Sequence, residues 1–537
     1  MASTVAPLRP ELIIGLVGAV GTDLKLVSGE LQSALQETIG YSSLEISISS
    51  LLDEMPVWKS GAPPKKNGPE DVRLDEYMNA GNEARRKSER PDILVLAALK
   101  RIAAARKDIT SKIAAPGEKT TVKCKICNST VEVELEFGQN QPQAREFAFI
   151  LRSLKHPEEV FALQKLYGPG FLLLAVSSSE ESRRQNLRDD IVKSRASDQP
   201  LPNDELDKKV EYLMKRDDFE RDPGAGSYGQ QVRETFYLAD VFVDVDDQNW
   251  KKELARFVKL IFGYPYHTPK RDEFGMFIAH AAATRSLSLS RQVGAAIASA
   301  SGEAIALGAN EVAKRGGGQV WEDDPRDQRD RDFEREEDTN YKTKIQNLEV
   351  SLKEAFSLVE GGNDFLEKML KVGSVSVLFK ATPLMDMIEF HREVHAEMAA
   401  VIDAAMRGVN VKGCTLYTTT FPCHDCAKHI LAAGIARVVY VEPYVKSKAS
   451  DFYPEAFNGG SNFIKPFVGV GPRRYRDVFT LTSGEGAKID RKGKDGKIVQ
   501  WDGRSASYRW RTWAASFLEM EKVYLEQLGK ALEKLKT

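Results

Sequence analysis

Residues 395–406 read His-Ala-Glu-Met-Ala-Ala-Val-Ile-Asp-Ala-Ala-Met, and residues 415–426 read Thr-Leu-Tyr-Thr-Thr-Thr-Phe-Pro-Cys-His-Asp-Cys. The first stretch is apolar and rich in alanine, which predicts a buried helix that ends near Gly408. The second predicts a strand over 415–421 and, after Pro422, a helix from Cys423 to Gly434. Residues 437–442 predict the next strand. This order of helix, strand, helix and strand indicates an α/β fold around the quoted residues.

Three residues in these stretches have the types and spacing of a catalytic zinc site. The imidazole of His395 and the thiolates of Cys423 and Cys426 give three protein ligands to a tetrahedral zinc ion, which leaves the fourth position open for water. Glu397 lies too near His395 for both to be ordinary ligands. It is instead suited to move a proton between the attacking water and the substrate, so we predict that Glu397 is the catalytic residue.

Other interpretations of this pattern are less favoured. An isolated Cys-x-x-Cys pair is often a redox pair or half of a structural zinc site. Here the His-x-Glu segment precedes it and Pro422 stands directly before Cys423, which favours a catalytic site. His391 and His395 have the i, i+4 spacing of zinc proteases, but those enzymes need a glutamate where this chain has Arg392.

The composition limits the class of protein. A chain of 537 residues is too long for one core and predicts two or more domains. The formal net charge of −2, with 29% charged residues, is that of an ordinary soluble protein. The sequence contains no apolar run of the roughly 20 residues that span a bilayer, so we expect no membrane partner. Five cysteines do not indicate a disulfide framework, and the expected location is a reducing cytoplasm.

The N-terminal half, residues 1–260, contains a candidate phosphate-binding turn. Residues 12–21 predict a buried strand that enters a Gly-rich turn, and residues 24–39 predict a helix. Backbone amides at such a turn can cradle a phosphate, which makes Gly15, Gly18, Gly21 and Lys25 candidate nucleotide-binding residues. The match is degenerate, because a phosphate loop from Gly18 needs Gly, Lys and Ser or Thr at 23–25, where Asp, Leu and Lys stand. A strand, turn and helix that merely pack together remain the alternative.

Further strands are predicted at 93–96 and 171–176, which fits an α/β layer with parallel strands. Between them, Cys124 and Cys127 resemble half of a zinc ribbon and are candidate ligands of a second metal ion. The chain has no further Cys-x-x-Cys pair to complete such a ribbon. An intersubunit metal site and a plain thiol pair therefore remain open.

The second half, residues 261–470, surrounds the zinc motif. A helix is predicted over 274–283, followed by strands over 291–297 and 304–311. An insertion at about 314–383 is polar and dense in charge, which indicates a mobile or solvent-exposed excursion over the site. Residues 471–537 are expected to form a C-terminal extension that has a loop or hairpin at 484–497 and a long amphipathic helix over 513–536.

Four segments of this half resemble the deoxycytidylate deaminases in order and character. They are Ser290-Arg291-Gln292-Val293-Gly294-Ala295, Gly308-Ala309-Asn310-Glu311, His395-Ala396-Glu397 and Phe421-Pro422-Cys423-His424-Asp425-Cys426-Ala427-Lys428. The whole layout resembles the bacterial antiviral dCTP deaminases. That resemblance implies a degenerate P-loop kinase-like three-layer domain followed by a cytidine deaminase-like α/β/α domain with a mixed sheet. It also implies that Asn310 contacts the sugar and base, and that Arg291 and Arg285 approach the phosphates.

The function implied is zinc-dependent hydrolytic deamination of dCTP, and also of dCMP, to the uracil nucleotide with release of ammonia. In the family this depletes the deoxycytidine nucleotide pool during phage infection. The resemblance further implies a regulatory RNA or nucleotide at the N-terminal domain, and we expect a homo-oligomer. Two alternatives stay open: a deaminase of RNA or single-stranded DNA, and an RNA or nucleotide sensor whose output is the deaminase.

Overall fold

The computed structural model describes residues 8–58, 61–64, 68–110, 120–123, 130–138, 141–195, 201–218, 228–379, 382–387, 389–442, 447–457, 462–482, 488–512 and 516–536. The chain divides into two compact units. Unit 1 comprises residues 1–273 together with 468–537, and unit 2 comprises residues 274–467. Among the described residues, no helix has the length and apolar character needed to cross a bilayer.

The strands of the described residues are, in chain order, β1 (Leu12–Gly18), β2 (Ser42–Ser47), β3 (Thr120–Lys123), β4 (Thr130–Gly138), β5 (Gln141–Arg145), β6 (Phe147–Arg152), β7 (Phe171–Ser177), β8 (Val241–Asp244), β9 (Gly294–Ala298), β10 (Ala304–Ala309), β11 (Glu311–Val312), β12 (Glu393–Val394), β13 (Thr415–Thr420), β14 (Arg437–Glu442), β15 (Ile464–Pro466) and β16 (Gly469–Val470).

The helices are α1 (Leu24–Ile39), α2 (Glu70–Ser88), α3 (Ile93–Thr110), α4 (Pro157–Tyr167), α5 (Glu180–Ser194), α6 (Asn203–Asp218), α7 (Val232–Phe236), α8 (Trp250–Ile261), α9 (Arg271–Ala283), α10 (Thr339–Ser357), α11 (Gly362–Val372), α12 (Val375–Leu378), α13 (Ala396–Met406), α14 (His424–Ala432), α15 (Ala449–Phe452), α16 (Pro454–Phe457), α17 (Tyr475–Phe479) and α18 (Ser516–Lys536).

Unit 1 is built on a six-stranded sheet with the order β16-β8-β7-β1-β6-β2. The pairs formed by β2, β6, β1, β7 and β8 are all parallel, and only β16 at the edge is antiparallel. The central strands β1 and β7 are apolar and buried, as expected where helices cover a parallel sheet. The strand and turn predicted over 12–21 are confirmed, with the strand ending at Gly18, as are the strand predicted at 171–176 and the helix predicted at 24–39.

The predicted strand at 93–96 is wrong, because Ile93 begins helix α3. The run Ile-Leu-Val-Leu is fully buried there, and periodicity alone does not separate a buried strand from a buried stretch of helix. The following residues, from Ala97 to Ala105, are rich in alanine and continue the helix to Thr110.

The C-terminal segment, predicted as an extension, belongs to unit 1. Strand β16 pairs with β8, and the rings of Tyr508 and Trp510 are buried in the core of the six-stranded sheet. Helix α18 is tied to the unit by a buried network in which Arg106 of α3 contacts both Glu11 and Glu521. The described part of residues 468–537 therefore completes the core of unit 1. The sequence did not predict this, because the segments that carry these residues are short and charged.

Unit 2 contains a five-stranded mixed sheet with the order β10-β9-β13-β14-β15. Strand β13 pairs in parallel with β14 and in antiparallel with β9. Helix α13 packs closely on β10, since a Cβ atom at Gly308 would lie 2.0 Å from the carbonyl oxygen of Ala396. The mixed sheet expected for this half is confirmed, and it sets α13 directly against the strand that leads to Asn310.

The insertion at 314–383 is largely structured in the described residues. It contains helices α10, α11 and α12, and its first part is fixed by a buried ion pair between Arg331 and Glu311 at 3.1 Å. Most of residues 321–330 are exposed, as the solvent-exposed alternative predicts, while Arg331 and Asp332 are buried. Some charged residues of this segment form buried ion pairs and others are exposed to solvent. The sequence alone does not tell which residues do which.

Candidate metal centre

The predicted metal ligands lie at the beginnings of two helices of unit 2. His395 is the N-cap of α13 and follows strand β12, while Cys423 is the N-cap of α14 and follows β13. Cys426 lies in the first turn of α14, where its backbone amide donates to the Cys423 sulfur at 3.4 Å. The first-turn amides and the positive ends of the helix dipoles favour thiolates at these positions.

The three ligand atoms lie together as a tetrahedral metal requires. The Nδ1 atom of His395 is 3.2 Å from the Cys423 sulfur and 3.5 Å from the Cys426 sulfur. Tetrahedral zinc with bonds of about 2.0–2.3 Å places its ligand atoms roughly 3.3–3.8 Å apart. Both cysteines are buried, and these three residues are a His/Cys/Cys group that could hold a metal ion. The donor set thus fits zinc with one open position.

The charges within this site favour metal binding. A hydrogen bond from the Cys426 thiol, together with the contact to His395, lowers the pKa of Cys423 to about 4. Burial acts to lower the pKa of His395, but its hydrogen bond and charge interaction with Cys423 outweigh burial and raise the pKa to about 9. The low pKa of Cys423 favours the thiolate that zinc binds, and zinc binding would release the proton of His395.

Glu397 lies beside the ligand group and is itself buried. Its Oε1 atom accepts a hydrogen bond from the hydroxyl of Thr418 at 3.2 Å, and its Oε2 atom accepts one from the Cys426 thiol at 3.4 Å. Burial raises the pKa of Glu397, and the nearby charge of Cys423 acts in the same direction. A carboxyl group with a raised pKa beside an open metal position is suited to carry a proton at neutral pH.

The contact from Thr418 was missed by sequence reasoning. This residue is fully buried in β13, where its hydroxyl lies 3.2 Å from the Glu397 carboxylate and 3.0 Å from the carbonyl oxygen of Thr420. The sequence could have indicated a polar contact here, because a threonine at an inward position of a strand needs a hydrogen-bond partner for its hydroxyl. Its partner lies 21 residues away in the sequence, and only the fold identifies it.

Asn310 lies close to the metal ligands through strand pairing. Strand β11 begins at the next residue and pairs with β12, which directly precedes His395. The side chain of Asn310 accepts from the backbone amide of Val293 and donates to the carbonyl oxygen of Arg291, both at 2.7 Å. The predicted base-contacting residue therefore also fixes the chain at the start of β9.

The two predicted phosphate-contacting arginines differ in their surroundings. Arg291 is half exposed and forms an ion pair of 2.5 Å with Glu442 at the end of β14. Arg285 stacks on Trp321 of the insertion, with its Cζ atom 3.5 Å from the ring centre. Its Nε atom is buried without a hydrogen-bond partner among the described residues. Burial lowers the pKa of Arg285, although nearby carboxylates oppose this.

The candidate nucleotide-binding residues of unit 1 occupy distinct positions. Gly15 is in the middle of β1, paired with both neighbouring strands, so it is not part of the turn. Gly18 ends that strand, and its carbonyl oxygen accepts from Lys155 at 3.1 Å. Gly21 has a φ angle of +84°, which favours glycine, and Lys25 is exposed in the first turn of α1.

The turn already contacts a carboxylate of its own chain. The backbone amide of Val20 donates to Asp217 at 2.6 Å, and the ammonium of Lys155 contacts the same carboxylate at 2.8 Å. Asp23, which stands where a phosphate loop has other residues, accepts from the amide of Leu26 and caps α1. The second predicted metal pair, Cys124 and Cys127, lies outside the described residues.

Comparison with known protein families agrees with this geometry. Residues 269–442 match the family model described as the cytidine and deoxycytidylate deaminase zinc-binding region. The match supports membership of this region in the cytidine and deoxycytidylate deaminase family. The model is described as zinc-binding, in agreement with the His/Cys/Cys group.

Several relatives are similar over short stretches. The deoxycytidylate deaminase of Enterobacteria phage T2 is 48% identical over 56 residues, which are 10% of this chain and 30% of the relative. ComE operon protein 2 of Bacillus subtilis is 43% identical over 60 residues, 11% of this chain and 32% of the relative. The deoxycytidylate deaminase of Homo sapiens is 43% identical over 47 residues, 9% of this chain and 25% of the relative. The chain therefore spans about a third or less of the length of these relatives.

Among solved structures, the dCMP deaminase of cyanophage S-TIM5 in complex with dCMP and dUMP is 17% identical to this chain. The alignment covers 38% of this chain and 100% of that structure, with a TM-score of 0.22.

Proposed function

We propose that this protein is a zinc-dependent hydrolase that removes the 4-amino group of a deoxycytidine nucleotide and releases ammonia. The observation that carries this proposal is the position of Glu397, a buried carboxyl group in contact with a three-ligand metal site. A site that binds zinc only for structure needs a fourth ligand and no proton carrier. The described residues supply three such ligands with a carboxyl group in contact with them, which supports a catalytic site over a structural one.

The proposed reaction adds water at C4 of cytosine and breaks the bond between C4 and the amino nitrogen. Bound zinc would supply Lewis-acid chemistry that lowers the pKa of water towards about 7. His395, Cys423 and Cys426 would hold the ion. Glu397 would take the proton that the attacking water gives up and deliver it to the ring nitrogen N3. It would then take the second proton of that water, from the hydroxyl formed at C4, and deliver it to the amine that leaves as ammonia. Thr418 would keep the carboxylate in place during these transfers.

The proposed substrates are dCTP and dCMP. Support comes from the deoxycytidylate deaminases among the relatives, and from two arginines, Arg285 and Arg291, that follow α9 and flank the loop before β9. The resemblance to antiviral dCTP deaminases adds the wider proposal that the enzyme depletes the deoxycytidine nucleotide pool in the cytoplasm of an infected cell. The further expectation that the protein is a homo-oligomer stays a proposal.

The first test is a substrate panel. The purified protein is incubated with dCTP, dCMP, deoxycytidine and a single-stranded oligonucleotide, and ammonia and uracil products are measured. We expect turnover of the free nucleotides that is lost after zinc removal by a chelator and restored by added zinc. Turnover of the oligonucleotide alone would replace this proposal with a polynucleotide deaminase. No turnover of any substrate by zinc-loaded protein would overturn the enzyme assignment.

For unit 1, the proposal is a degenerate P-loop kinase-like domain that regulates the deaminase in response to a nucleotide or RNA phosphate. Its support is the parallel sheet in which β1 lies between β6 and β7, with a Gly-rich turn after β1 at the point where the strand order reverses. Phosphoryl transfer is disfavoured, because Asp23 and Leu24 occupy the positions of the catalytic loop groups. A phosphate at this turn would also have to displace Asp217.

A further inference from the structure

The first part of the insertion forms hydrogen bonds with the backbone on either side of Asn310. The side-chain amide of Gln319 donates to the carbonyl oxygens of Ala309 at 2.5 Å and of Glu311 at 3.2 Å. The backbone amide of Val320 donates to the carbonyl oxygen of Val312 at 3.0 Å. The insertion therefore binds the backbone immediately before and after Asn310, and it adds an edge to the strand that lies beside the metal ligands.

Two ion pairs fix this part of the insertion. Arg331 is 4% exposed and contacts Glu311, which is 1% exposed. The next residue, Asp332, contacts Arg392 at 3.1 Å, three residues before His395. Because Arg331 engages Glu311 from within the low-dielectric interior, the two groups hold each other strongly in place. These contacts hold both ends of the stretch 319–332 against β11, β12 and the residues that flank them, while most residues of 321–330 are exposed.

Trp321 extends from this stretch onto Arg285. The Cζ atom of the guanidinium is 3.5 Å from the ring centre, which is face-to-face contact with the ring. Stacking holds the plane of a guanidinium while its N–H groups remain available at the edge, and these match the oxygens of a phosphate. Arg285 is joined in the chain to Ser286, whose hydroxyl donates to the backbone carbonyl oxygen of Asn310 at 2.8 Å.

The neighbouring carboxylates do not neutralise Arg285 by direct contact. Glu311 and Asp403 act on it as charges. Glu311 contacts Arg331 and the backbone amides of Leu287 and Val312, while Asp403 contacts Arg407 and the backbone amide of Leu307. The buried Nε atom of Arg285 lacks a hydrogen-bond partner in the described part of the chain. A half-buried, stacked guanidinium whose terminal nitrogens have no ion-pair partner among the described residues is suited to receive an anion at those nitrogens.

We infer that the insertion forms one wall of the nucleotide site, and that Trp321 is a positioning residue that holds Arg285 ready for a phosphate group of the substrate. This inference rests on the proposed function for the identity of the substrate. It assigns to residues of the insertion a role in distinguishing nucleotides from nucleosides. The deamination chemistry at C4 does not involve either residue.

The test compares three variants with wild type on substrates that differ in their phosphates. Trp321→Ala and Arg285→Ala should each raise KM for dCMP and dCTP by about tenfold, as expected for a lost charge-assisted contact, with kcat within about twofold. The kcat/KM for deoxycytidine, which lacks a phosphate, should not change. Trp321→Phe should restore most of the affinity, because phenylalanine keeps a ring face for the guanidinium.

The matched control is Phe333→Ala, which removes an exposed aromatic side chain of the same insertion and should change neither constant. Equilibrium binding of the product dUMP gives a readout that needs no turnover. Trp321→Ala and Arg285→Ala should weaken dUMP binding to a similar extent, and the double variant should weaken it no further than either alone.

Two results would overturn the inference. Unchanged dUMP binding and unchanged KM in both single variants would remove Arg285 and Trp321 from the site. An equal loss of kcat/KM for dCMP and deoxycytidine, without rescue by Trp321→Phe, would mean that the residues only maintain the fold. The proposed function fails separately, if zinc-loaded wild type deaminates none of these substrates.

Discussion

The backbone amide of Val20 donates a hydrogen bond of 2.6 Å to the carboxylate of Asp217, so the Gly-rich turn after the first strand holds an anion from its own chain. Lys155 contacts the same carboxylate and also the carbonyl oxygen of Gly18. In a phosphate loop, the amides and a lysine contact a nucleotide phosphate instead. The turn of unit 1 likewise uses a backbone amide and a lysine to bind an anion, but this anion is the carboxylate of Asp217 from the same chain.

Replacing Asp217 should therefore destabilise unit 1. The carboxylate is fully buried, and Asp217→Ala leaves the Val20 amide and the Lys155 ammonium without it. We expect a loss of about 3 kcal/mol of unfolding free energy, in the range of a broken buried ion pair. Hydrogen exchange of peptides from unit 1 in increasing urea measures this. Glu180→Gln, which removes an exposed partner of Arg184, is the control and should change little.

The same variant tests the regulatory proposal. If the turn can accept a phosphate once Asp217 is gone, inorganic phosphate or ATP should restore part of the lost stability in Asp217→Ala and have a smaller effect on wild type. The deaminase rate is then measured with and without these anions. No anion effect on either protein would leave the turn with a packing role only.

Glu397→Ala should retain zinc and lose deamination by a factor of about 10²–10⁴, because the ligands persist while the proton carrier is gone. Cys423→Ser and Cys426→Ser should lose both zinc and activity, since a serine hydroxyl is a poor zinc ligand at neutral pH. Elemental analysis of the purified variants gives the zinc content, and ammonia release gives the rate. Equal zinc loss in all three variants would contradict the separate roles.

Thr418→Val should lower kcat about tenfold with little change in KM or zinc content, because it removes the hydroxyl that holds the Glu397 carboxylate and keeps the shape of the side chain. Thr419→Val is the matched control. That neighbouring hydroxyl accepts from the amide of Gly294 rather than contacting Glu397. A similar fall in kcat for both variants would indicate a general effect on β13.

Gly308→Ala should displace helix α13 and reduce zinc affinity. The added methyl group would lie 2.0 Å from the carbonyl oxygen of Ala396 and 2.5 Å from the amide of Ala400, and backbone atoms cannot rotate out of the way. Because α13 carries His395 at its N-cap and Glu397 in its first turn, both would move with it. Gly29→Ala in helix α1 is the control, since its added methyl group meets nothing within 4 Å. Normal zinc titration of Gly308→Ala would contradict this packing argument.

Asp71 should contribute stability that depends on pH. Burial acts to raise the pKa of this carboxyl, but hydrogen bonds from Lys209 and Arg195 outweigh burial and lower it. A folded-state pKa below the unfolded one stabilises the folded protein above the unfolded value of about 3.9. The difference in unfolding free energy between wild type and Asp71→Asn should therefore be largest at pH 7. It should decrease as the pH falls below about 5 and disappear below the pKa of Asp71 in the folded protein. Urea unfolding of both proteins across this range measures it, and a difference that grows in acid would be inconsistent with this sign.

The local elements of the zinc site could be predicted from the sequence because their signals are local. Helix α13 ends at Met406, two residues before the predicted end near Gly408, and β13 and α14 each lie within one or two residues of the prediction. The spacing of His395, Cys423 and Cys426 was also sufficient to predict that they lie together, as they do in the structure. Here the residue types themselves specify the chemistry, and the helix starts position them.

Contacts between distant segments could not be predicted in this way. Val20 and Asp217 are 197 residues apart in the sequence. Arg285 and Trp321, which are in contact, are separated in the sequence by strands β9 and β10 and the start of the insertion. Such contacts depend on how elements pack, for which a single sequence gives no direct signal. The error at Ile93 has a different cause, because buried helices and buried strands share the same apolar run.

The division of unit 1 into two separate stretches has a consequence for how the chain acquires its structure during synthesis. Residues 468–537 supply β16, Tyr508 and Trp510 to the first core, yet the ribosome makes them after all of unit 2. Unit 2 is continuous and can complete its sheet as soon as it emerges, while unit 1 has to wait with an unfinished sheet edge at β8. The folded unit 2 then shortens the flexible loop that unit 1 must close, which lowers the entropic cost of bringing its two stretches together.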